Sequence, residues 1–469
     1  MSRVDTAWLR MDSDAHLMLI VGVWLLQPAI SLAALRQRIR QRLLRFPRFG
    51  QRVVQDAAGA LWVDDAQFDI RHHVRQERLR PRPGQSQRAA LQQRCGELAT
   101  TPLDPDRPLW QFHLVPGYPG DKQGGCALIL RVHHCIADGI ALVAVMNSIT
   151  DGGDAPITDG GGAPITDGGD APPQPAARPQ TQVKPDAPAA DALASVLAAL
   201  APPQHGGLDL ARAGLHLLGD LAALALMADD SATRLKGPLS GRKQVAWGEP
   251  LPLADVKAVS RALGCSINDV LLACVAGALA GWLRSQGDTP DGAEIRAMVP
   301  VNLRPLDQAW QLGNHFGLAP LLLPIGIANP VQRVYAVQAR MAGLKGSFQP
   351  LLAYGVLALA GMLAKPVQDR LLGLFAHKTT AVMTQVPGPT QPLRLCGSTL
   401  QQSLFWVPAS GGVGVGVSVL SYAGGVQLAL MTDAALCPDP QAIIDRFEPE
   451  FAQLLLLSLM LPWGREGKV

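Results

Sequence analysis

The sequence predicts a protein of the α/β (α+β) class that is built in two halves. Strand-like and helix-like patterns alternate on both sides of a stretch near residues 150–190 that is rich in glycine and proline. The chain has 469 residues, of which 48% are hydrophobic and 17% are charged. A chain of this length is expected to form two domains, because single hydrophobic cores seldom grow beyond ~250–300 residues.

The first half contains two strand patterns, each followed by a helix pattern. The apolar runs at 16–26 and 125–134 are short and continuous, as in strands that are covered on both faces. Residues 30–46 place apolar side chains at helical spacing between arginines and glutamines, and residues 140–149 form a second helix pattern. Residues 1–148 are therefore predicted to form the N-terminal domain.

A repeated octapeptide marks the break between the halves. The unit ITDGGDAP occurs three times from Ile149 to Pro172, the second copy carrying glycine in place of the second aspartate. Chain with this density of glycine and proline cannot build a packed element, so residues 149–190 are predicted to be a disordered linker. Calcium-binding glycine/aspartate repeats have a different, nine-residue pattern. Residues 191–240 are predicted to form a helical connection.

The second half, residues 241–469, is predicted to be the C-terminal domain. The stretch SINDVLLACVAGALAGWLR at 266–284 predicts a helix that is capped by Ser266 or Asn268. Strand patterns follow at 294–304, at 317–325 and in a hairpin over 413–433 with a glycine turn.

Composition excludes several classes of protein. The net charge is only +3, so the chain lacks the strongly basic composition that is typical of nucleic-acid-binding proteins. The seven cysteines include no CxxC pair, which predicts reduced cytosolic thiols and no metal site. The N-terminal residues lack a signal-peptide pattern, and the apolar run 351–364 is shorter than the ~20 residues that span a bilayer. We therefore expect a cytoplasmic protein that can associate with a membrane surface.

The chemistry is predicted at the sequence HHCIADG, where a buried strand pattern gives way to a helix pattern. Its fixed positions are His133, His134, Asp138 and Gly139. A strand end holds an imidazole rigidly, and a neutral histidine can take a proton from an attacking alcohol. Asp138 is expected to orient the loop, and Gly139 is expected to let the backbone bend tightly into the helix.

Two neighbouring features serve as comparisons for this motif. His72 and His73 form a second histidine pair, but no Asp-Gly follows and charged residues surround it, so a structural role is predicted. Cys135 lies beside the motif histidines, yet it would point to the opposite face from His134 if the strand continued. A thiol nucleophile is therefore not favoured.

The motif HHxxxDG resembles that of acyltransferases with the chloramphenicol-acetyltransferase-like fold. Other stretches resemble the wax ester synthase/acyl-CoA:diacylglycerol acyltransferase family, and they follow one another in the same order over nearly the whole chain. They are DTAWLRMDSDAHLM, FDIRHHVRQERLRPRPG, the PLW motif at Pro108, Leu109 and Trp110, the ND motif at Asn268 and Asp269, VPVNLRP, LGNHFGLAPLLLP, TQVPGP and GVGVSVLSYAGG. One departure is Gln385, where the family has asparagine before VPGP.

The resemblance implies two chloramphenicol-acetyltransferase-like domains with a substrate tunnel between them. It implies transfer of a fatty acyl group from acyl-CoA, as co-substrate, to a long-chain alcohol (wax ester) or to diacylglycerol (triacylglycerol). His134 would be the general base, and no permanently bound cofactor is implied. Because the substrates are lipids, the enzyme is expected at the surface of the inner membrane or of lipid droplets.

The resemblance also suggests supporting roles. Arg304 in VNLR resembles an arginine that pairs with the motif aspartate in related enzymes, although an unrelated strand-end arginine is the alternative. Asn268 is a candidate for the oxyanion or a substrate hydroxyl, or else for a helix N-cap. Asp269 is expected to favour the dipole of its helix. Pro108, Leu109 and Trp110 are expected to pack beneath the site.

Two other functions fit parts of the sequence. A condensation-type acyltransferase that uses a carrier-protein thioester would explain HHxxxDG but neither PLW nor VPGP. A non-catalytic lipid-surface protein would retain the fold, but the intact motif argues against it.

Overall fold

A computed structural model describes residues 1–13, 16–56, 59–119, 124–152, 229–304, 311–345, 349–363, 365–376, 378–408 and 412–460. The strands in these ranges are β1 (Leu19–Gln27), β2 (Gln51–Asp56), β3 (Gly59–Asp64), β4 (Val74–Gln76), β5 (Trp110–Pro116), β6 (Cys126–His133), β7 (Lys243–Trp247), β8 (Leu251–Pro252), β9 (Ile295–Asn302), β10 (Phe316–Leu323), β11 (Ala381–Pro387), β12 (Arg394–Leu395), β13 (Ser398–Trp406), β14 (Val415–Tyr422) and β15 (Gly425–Asp433). The helices are α1 (Arg3–Arg10), α2 (Leu32–Arg42), α3 (Ile70–His73), α4 (Gln87–Ala99), α5 (Gly139–Ser148), α6 (Leu253–Leu263), α7 (Ile267–Ser285), α8 (Pro330–Lys345), α9 (Gln349–Ala360), α10 (Lys365–Ala376) and α11 (Gln441–Leu459).

Two large sheets organise these elements. The first has the strand order β12-β13-β1-β6-β5-β4, and the second has the order β10-β9-β11-β14-β15-β7, with β8 paired to β15. β2 and β3 form a separate hairpin. Helices and strands therefore interleave in both halves, and the predicted α/β class is confirmed.

The central position of β1 explains its continuous apolar sequence. It pairs antiparallel with β13 on one side and with β6 on the other, so it is not an edge strand. Its first eight residues are buried except for Leu25. A strand that is covered on both faces needs no polar alternation, and this is why residues 16–26 and 125–134 read as unbroken apolar runs.

The sheets do not divide the chain at the predicted domain boundary. β12 and β13 come from the predicted C-terminal domain, yet they complete the first sheet. Trp247 on β7 and Trp406 on β13 also meet, with 5.8 Å between ring centroids. The C-terminal domain is therefore not a contiguous unit, because residues 394–406 belong to the sheet of the other half.

The predicted linker begins too early. Ile149 and Thr150 are buried, with 0% and 1% exposure. Asp151 pairs with Arg38 at 2.6 Å and accepts a hydrogen bond from the Gly397 backbone N–H at 2.8 Å. These contacts fix the end of α5 against the turn between β12 and β13, so residues 149–151 are part of the packed structure. The remaining repeat copies lie outside the described residues.

The other connecting and apolar segments also depart in part from expectation. Of the predicted helical connection at 191–240, residues 229–240 are described, and they form turns and irregular chain without a helix. The remainder lies outside the described residues. The apolar run 351–364 falls mostly in α9, which packs against α1 and β10. Among the described helices, α7 has the length and composition of a membrane span, but 83% of its apolar window is buried inside the protein.

Candidate active site

His134 follows the last residue of β6, in the short loop that leads into α5. Its imidazole is buried and stacks on the Trp8 ring of α1, with 4.2 Å between centroids and 10° between planes. Its Nδ1 lies 2.8 Å from the side-chain oxygen of Asn314. Burial lowers the pKa of His134 to about 4, so the ring is neutral at physiological pH.

Asp138 joins the loop that carries His134 to the second half. Its Oδ1 accepts from the Ala141 backbone N–H at 2.9 Å and so caps the N-terminus of α5. Its Oδ2 accepts from Nη2 of Arg304 at 2.9 Å, and both side chains are buried. The predicted ion pair between Arg304 and Asp138 is therefore present. Both carboxylate oxygens therefore have protein partners, one in α5 and one in the second half, as the predicted orienting role requires.

His133 is the last residue of β6 and has a different set of partners from His134. Its Nδ1 accepts from the Cys135 backbone N–H at 3.1 Å. Its Nε2 lies 3.2 Å from Oδ1 of Asp12. The ring is one wall of a cavity that is also lined by Leu109 and by residues of β2.

The PLW residues lie beneath this loop. The Leu109 carbonyl accepts from the His133 backbone N–H at 2.9 Å. The Trp110 ring is fully buried, and its indole N–H donates to the Phe49 carbonyl at 2.8 Å. These contacts of Leu109 and Trp110 agree with the predicted packing role, and Pro108 is buried next to them in the chain.

Comparison with protein families decides what kind of site this is. The catalytic-domain profile of the wax ester synthase/diacylglycerol acyltransferase family matches residues 1–271. The profile of the C-terminal domain of the same family matches residues 312–455. The chain belongs to the wax ester synthase/diacylglycerol acyltransferase family. It is therefore an acyltransferase enzyme, and its acceptors are of the diacylglycerol or wax-alcohol class.

Similar proteins support this membership along the whole chain. A Mycobacterium tuberculosis (H37Rv) protein described as a probable diacylglycerol O-acyltransferase, tgs1, is 28% identical over 98% of this chain and 96% of its own length. The wax ester synthase/diacylglycerol acyltransferase from Marinobacter aquaeolei VT8 has a similar structure, with a TM-score of 0.66 and 22% identity over 97% of this chain and 98% of that one. The first condensation domain of the CDA synthetase matches with a TM-score of 0.56 and 18% identity over 98% and 95% of the two chains. The chloramphenicol-acetyltransferase-like fold is thereby confirmed.

Gly139 does not have the role that its sequence position predicted. It is the first residue of α5, and its φ angle is not in the left-handed region that favours glycine. A Cβ at this position would meet its nearest neighbour, Val386, at 3.8 Å, which is ordinary contact. The turn into the helix is instead made by the Asp138 cap. In this acyltransferase, Gly139 borders a mainly apolar cavity between the two sheets that is also lined by Leu142, Leu404 and other side chains.

The ND motif of this family member is at the start of α7. Ser266 and Asp269 form a capping box, in which each side chain bonds the backbone N–H of the other residue. Ser266 is thus the N-cap, and Asp269 has the helix-terminal role that was predicted. Asn268 is not the cap, and its Oδ1 is buried without a hydrogen-bond partner among the described residues. Gln385 on β11 likewise has a buried side-chain nitrogen without a partner in the described part of the chain.

His73 of the second histidine pair makes structural contacts, as predicted. The buried His73 ring stacks between Phe68 and Trp110, at centroid distances of 4.9 and 4.5 Å. Its Nδ1 lies 2.8 Å from the Trp110 carbonyl, and burial lowers the pKa of the ring. Among the described residues, no group of three or more His, Cys, Asp or Glu side chains could hold a metal ion.

Four residues of the site were not predicted individually. Trp8 and Asn314 contact the His134 ring, Asp5 accepts hydrogen bonds from Asn314, and Arg48 pairs with Asp5. Asp5 and Trp8 lie in the opening stretch DTAWLRM, and Asn314 lies in LGNHFG. Both stretches matched the family, but no role was assigned to single positions within them. Asn314 could have been noticed, because it stands just before the apolar strand pattern at 317–325. A polar side chain at the entry of a buried strand needs a polar partner.

Proposed function

We propose that this enzyme transfers a fatty acyl group from acyl-CoA directly to the hydroxyl of a long-chain alcohol or diacylglycerol, with His134 as general base. The observation that carries the proposal is the state of the His134 imidazole. The ring is buried and neutral, and its Nδ1 faces the amide oxygen of Asn314. An Nδ1–H that donates to that oxygen leaves Nε2 without a proton and able to accept one.

In the proposed reaction, Nε2 of His134 removes the hydroxyl proton as the acceptor oxygen attacks the thioester carbon. The C–S bond of the tetrahedral intermediate then breaks, and the imidazolium returns the proton to the departing CoA thiolate. A direct transfer of this kind needs no acylated serine or cysteine. The oxyanion requires a hydrogen-bond donor, for which Asn268 and backbone N–H groups remain candidates.

Apolar surroundings fit the proposed substrates. The cavity beside Gly139 is lined largely by aliphatic and aromatic side chains, among them Trp24, Leu142 and Leu420. Such a surface accommodates an alkyl chain and excludes water from the neighbouring loop. The cavity has walls from both sheets, which is consistent with a substrate tunnel between the two halves.

The base is tested by His134→Ala, which should lower ester formation by ~10²–10⁴-fold, the usual contribution of general acid–base catalysis. One acyl-CoA should be assayed against a fatty alcohol, diacylglycerol and an amine, with a carrier-protein thioester as a second donor.

His73→Ala removes a buried histidine outside the site and is the matched control for folding. Activity of His134→Ala within tenfold of wild type would contradict the role of the base. Turnover with the carrier thioester alone would favour a condensation-type enzyme.

We further propose that the enzyme works at the surface of a membrane or lipid droplet. The motivating segment is α10, in which an apolar stretch is flanked by Arg370 and Lys378. Basic residues at the edge of an apolar helix favour an anionic lipid surface. The side chains of Leu371, Leu374 and Phe375 lie outside the described part of the structure, and Val367 on the same helix is 49% exposed.

Vesicle flotation tests this surface. Replacing Leu371, Leu374 and Phe375 by serine should release the protein from phosphatidylglycerol vesicles, while turnover of soluble short-chain substrates continues. The control replaces Leu456 and Leu459 by serine, because these residues of α11 are 63% and 59% exposed but lie on another helix. If the α10 variant floats like wild type, α10 is not the anchor.

A further inference from the structure

We propose that Asn314 and Asp5 are positioning residues that fix the proton of His134 on Nδ1. This inference rests on the proposed role of His134, and it adds two residues that act through it. Asn314 lies just before β10, 180 residues from His134 in the chain, and Asp5 lies on α1. The three side chains meet in the buried interior between the halves, where the exposures of His134, Asn314 and Asp5 are 6%, 2% and 0%.

The orientation of the Asn314 amide follows from its neighbours. One of the two terminal atoms of the Asn314 amide lies 2.8 Å from Oδ1 of Asp5 and 2.8 Å from the His134 carbonyl oxygen. A carboxylate and a carbonyl can only accept hydrogen bonds, so the NH₂ group must point toward them. The amide oxygen is then directed at Nδ1 of His134, and Nδ1 must carry the proton.

Asp5 is in turn held in a fixed place by its own partners. Its Oδ1 also accepts from the Asn314 backbone N–H at 3.1 Å. Its Oδ2 lies 3.1 Å from Nη2 of Arg48, and Nη1 of Arg48 donates to the Ile136 carbonyl at 2.7 Å. Arg48 therefore binds both Asp5 and the loop that carries His134. A buried carboxylate needs this compensation, because an unpaired buried charge is strongly unfavourable.

This arrangement has a catalytic consequence. When Nε2 takes a proton, the positive charge of the imidazolium spreads to Nδ1, which already donates to an amide oxygen. The carboxylate behind the amide polarises it and makes that oxygen a better acceptor. The relation resembles that of the aspartate and histidine in a serine protease, with an amide placed between carboxylate and ring. Trp8, stacked on the imidazole, holds the plane of the ring.

The tautomer can be measured without substrate. In protein labelled with ¹⁵N in its histidine rings, Nε2 of His134 should give a pyridine-type signal at neutral pH, assigned by its loss in His134→Gln. Asp5→Asn should bring in a pyrrole-type Nε2 signal. The asparagine side chain has one oxygen and one NH₂ group for the two places that the carboxylate oxygens of Asp5 fill. Its NH₂ group must therefore face either Arg48 or Asn314, both of which present donors there. As a result, the Asn314 amide no longer has a single favoured orientation. A pyrrole-type signal in wild type would overturn the inference whether or not the enzyme makes esters.

Kinetics then test positioning against a merely structural role. Asn314→Ala should lower kcat about 10²-fold, within the range of a lost acid–base contribution, and should change KM by less than about threefold. Gln368→Ala is the matched control, because Gln368 is a buried amide that donates to the Ala7 carbonyl of α1 at 2.9 Å and has no bond to Asn314. An equal loss of kcat in both variants would show that only the placement of α1 matters. If Asn314→Ala fails to fold, Asp5→Asn gives the same test through its tautomer signal.

Discussion

With His134 as the proposed general base, protonation of its ring should set the acidic limit of the enzyme. Burial lowers its pKa from the ordinary 6.5 to about 4, so the base form persists well below neutrality. We expect the acidic limb of the kcat/KM profile near pH 4 rather than near 6.5, measured with a soluble short-chain acceptor. Between these two values the unfolded chain binds more protons at this residue than the folded chain does. The free energy of unfolding should therefore fall as the pH is lowered from 6.5 to 4, and should show no slope from this group above 6.5.

The control for this prediction is His134→Gln, which cannot titrate. Its urea-unfolding free energy should vary less between pH 6.5 and 4 than that of wild type. An acidic limb between pH 6 and 7 that is absent from the variant's residual activity would contradict the low pKa.

At the same scale, the sequence predicted the local part of the site and missed the distant part. His133, His134 and Asp138 stand within six positions of one another, so one motif contained them. Asn314 reaches this loop across 180 residues, and Asp5 in turn bonds Asn314 across 309 residues. Periodicity and capping rules describe neighbours along the chain and carry no information about such contacts. Arg304 could be predicted only because the resemblance to a family supplied the pairing.

Among the elements, α5 depends on a buried ion pair that joins it to the second half. Asp138→Asn should lower the free energy of unfolding by about 3–5 kcal/mol, because it removes the carboxylate that pairs with the buried Arg304 guanidinium. Activity should fall less than in His134→Ala, since Asp138 has no free oxygen for chemistry. Urea unfolding and initial rates on the same preparations measure both effects.

A double-mutant cycle with Arg304→Met separates the pair from its parts. The double variant should be more stable than the sum of the two single losses indicates, because no uncompensated charge remains. An unchanged melting temperature in Asp138→Asn, with activity as low as in His134→Ala, would place Asp138 in the reaction itself.

The elements that the sequence predicted best are those with strong local signals. β1, β6 and α5 are long apolar segments, and their ends fall within about three residues of expectation. The capping box at Ser266 was also visible in the sequence, although two residues competed for the cap. β12 and β4 are only two and three residues long. They exist because partner strands lie beside them, and short strands of this kind carry no periodic signal of their own.

At the scale of the whole molecule, the connection between the halves should tolerate deletions, provided that the packed residues 149–151 at its start are kept. Deleting residues 153–172 should change the melting temperature by only a few degrees, because the closure entropy of a long connection depends weakly on its length. Deleting residues 149–172 should cost about 2–5 kcal/mol, because it removes the buried Ile149 side chain and the Asp151 contacts. Thermal unfolding and ester formation should be measured for both deletions. An equally large loss of stability in the shorter deletion would show that the repeat itself packs against the protein, and an equally small loss in the longer one would show that the anchored residues contribute little.

The two-half architecture was visible in the sequence, but the exchange of strands between the halves was not. The glycine- and proline-rich break suggested that each sheet is built from one side of it. In fact β13 leaves the second half and pairs with β1, through contacts between residues that are several hundred positions apart. Nothing in the sequence of β13 distinguishes a strand that stays in its own sheet from one that joins the other.

The late position of β13 in the chain affects how the first sheet can form during synthesis on the ribosome. β1 is synthesised first, but its neighbour β13 is complete only at Trp406, near the end of the chain. At ~5–20 residues per second, the free edge of β1 waits on the order of tens of seconds for its partner. An unpaired edge is a template for strands of other nascent chains. Crowded translation should therefore favour aggregation of the nascent first half, and chaperones that shield its free edge should raise the yield of active enzyme.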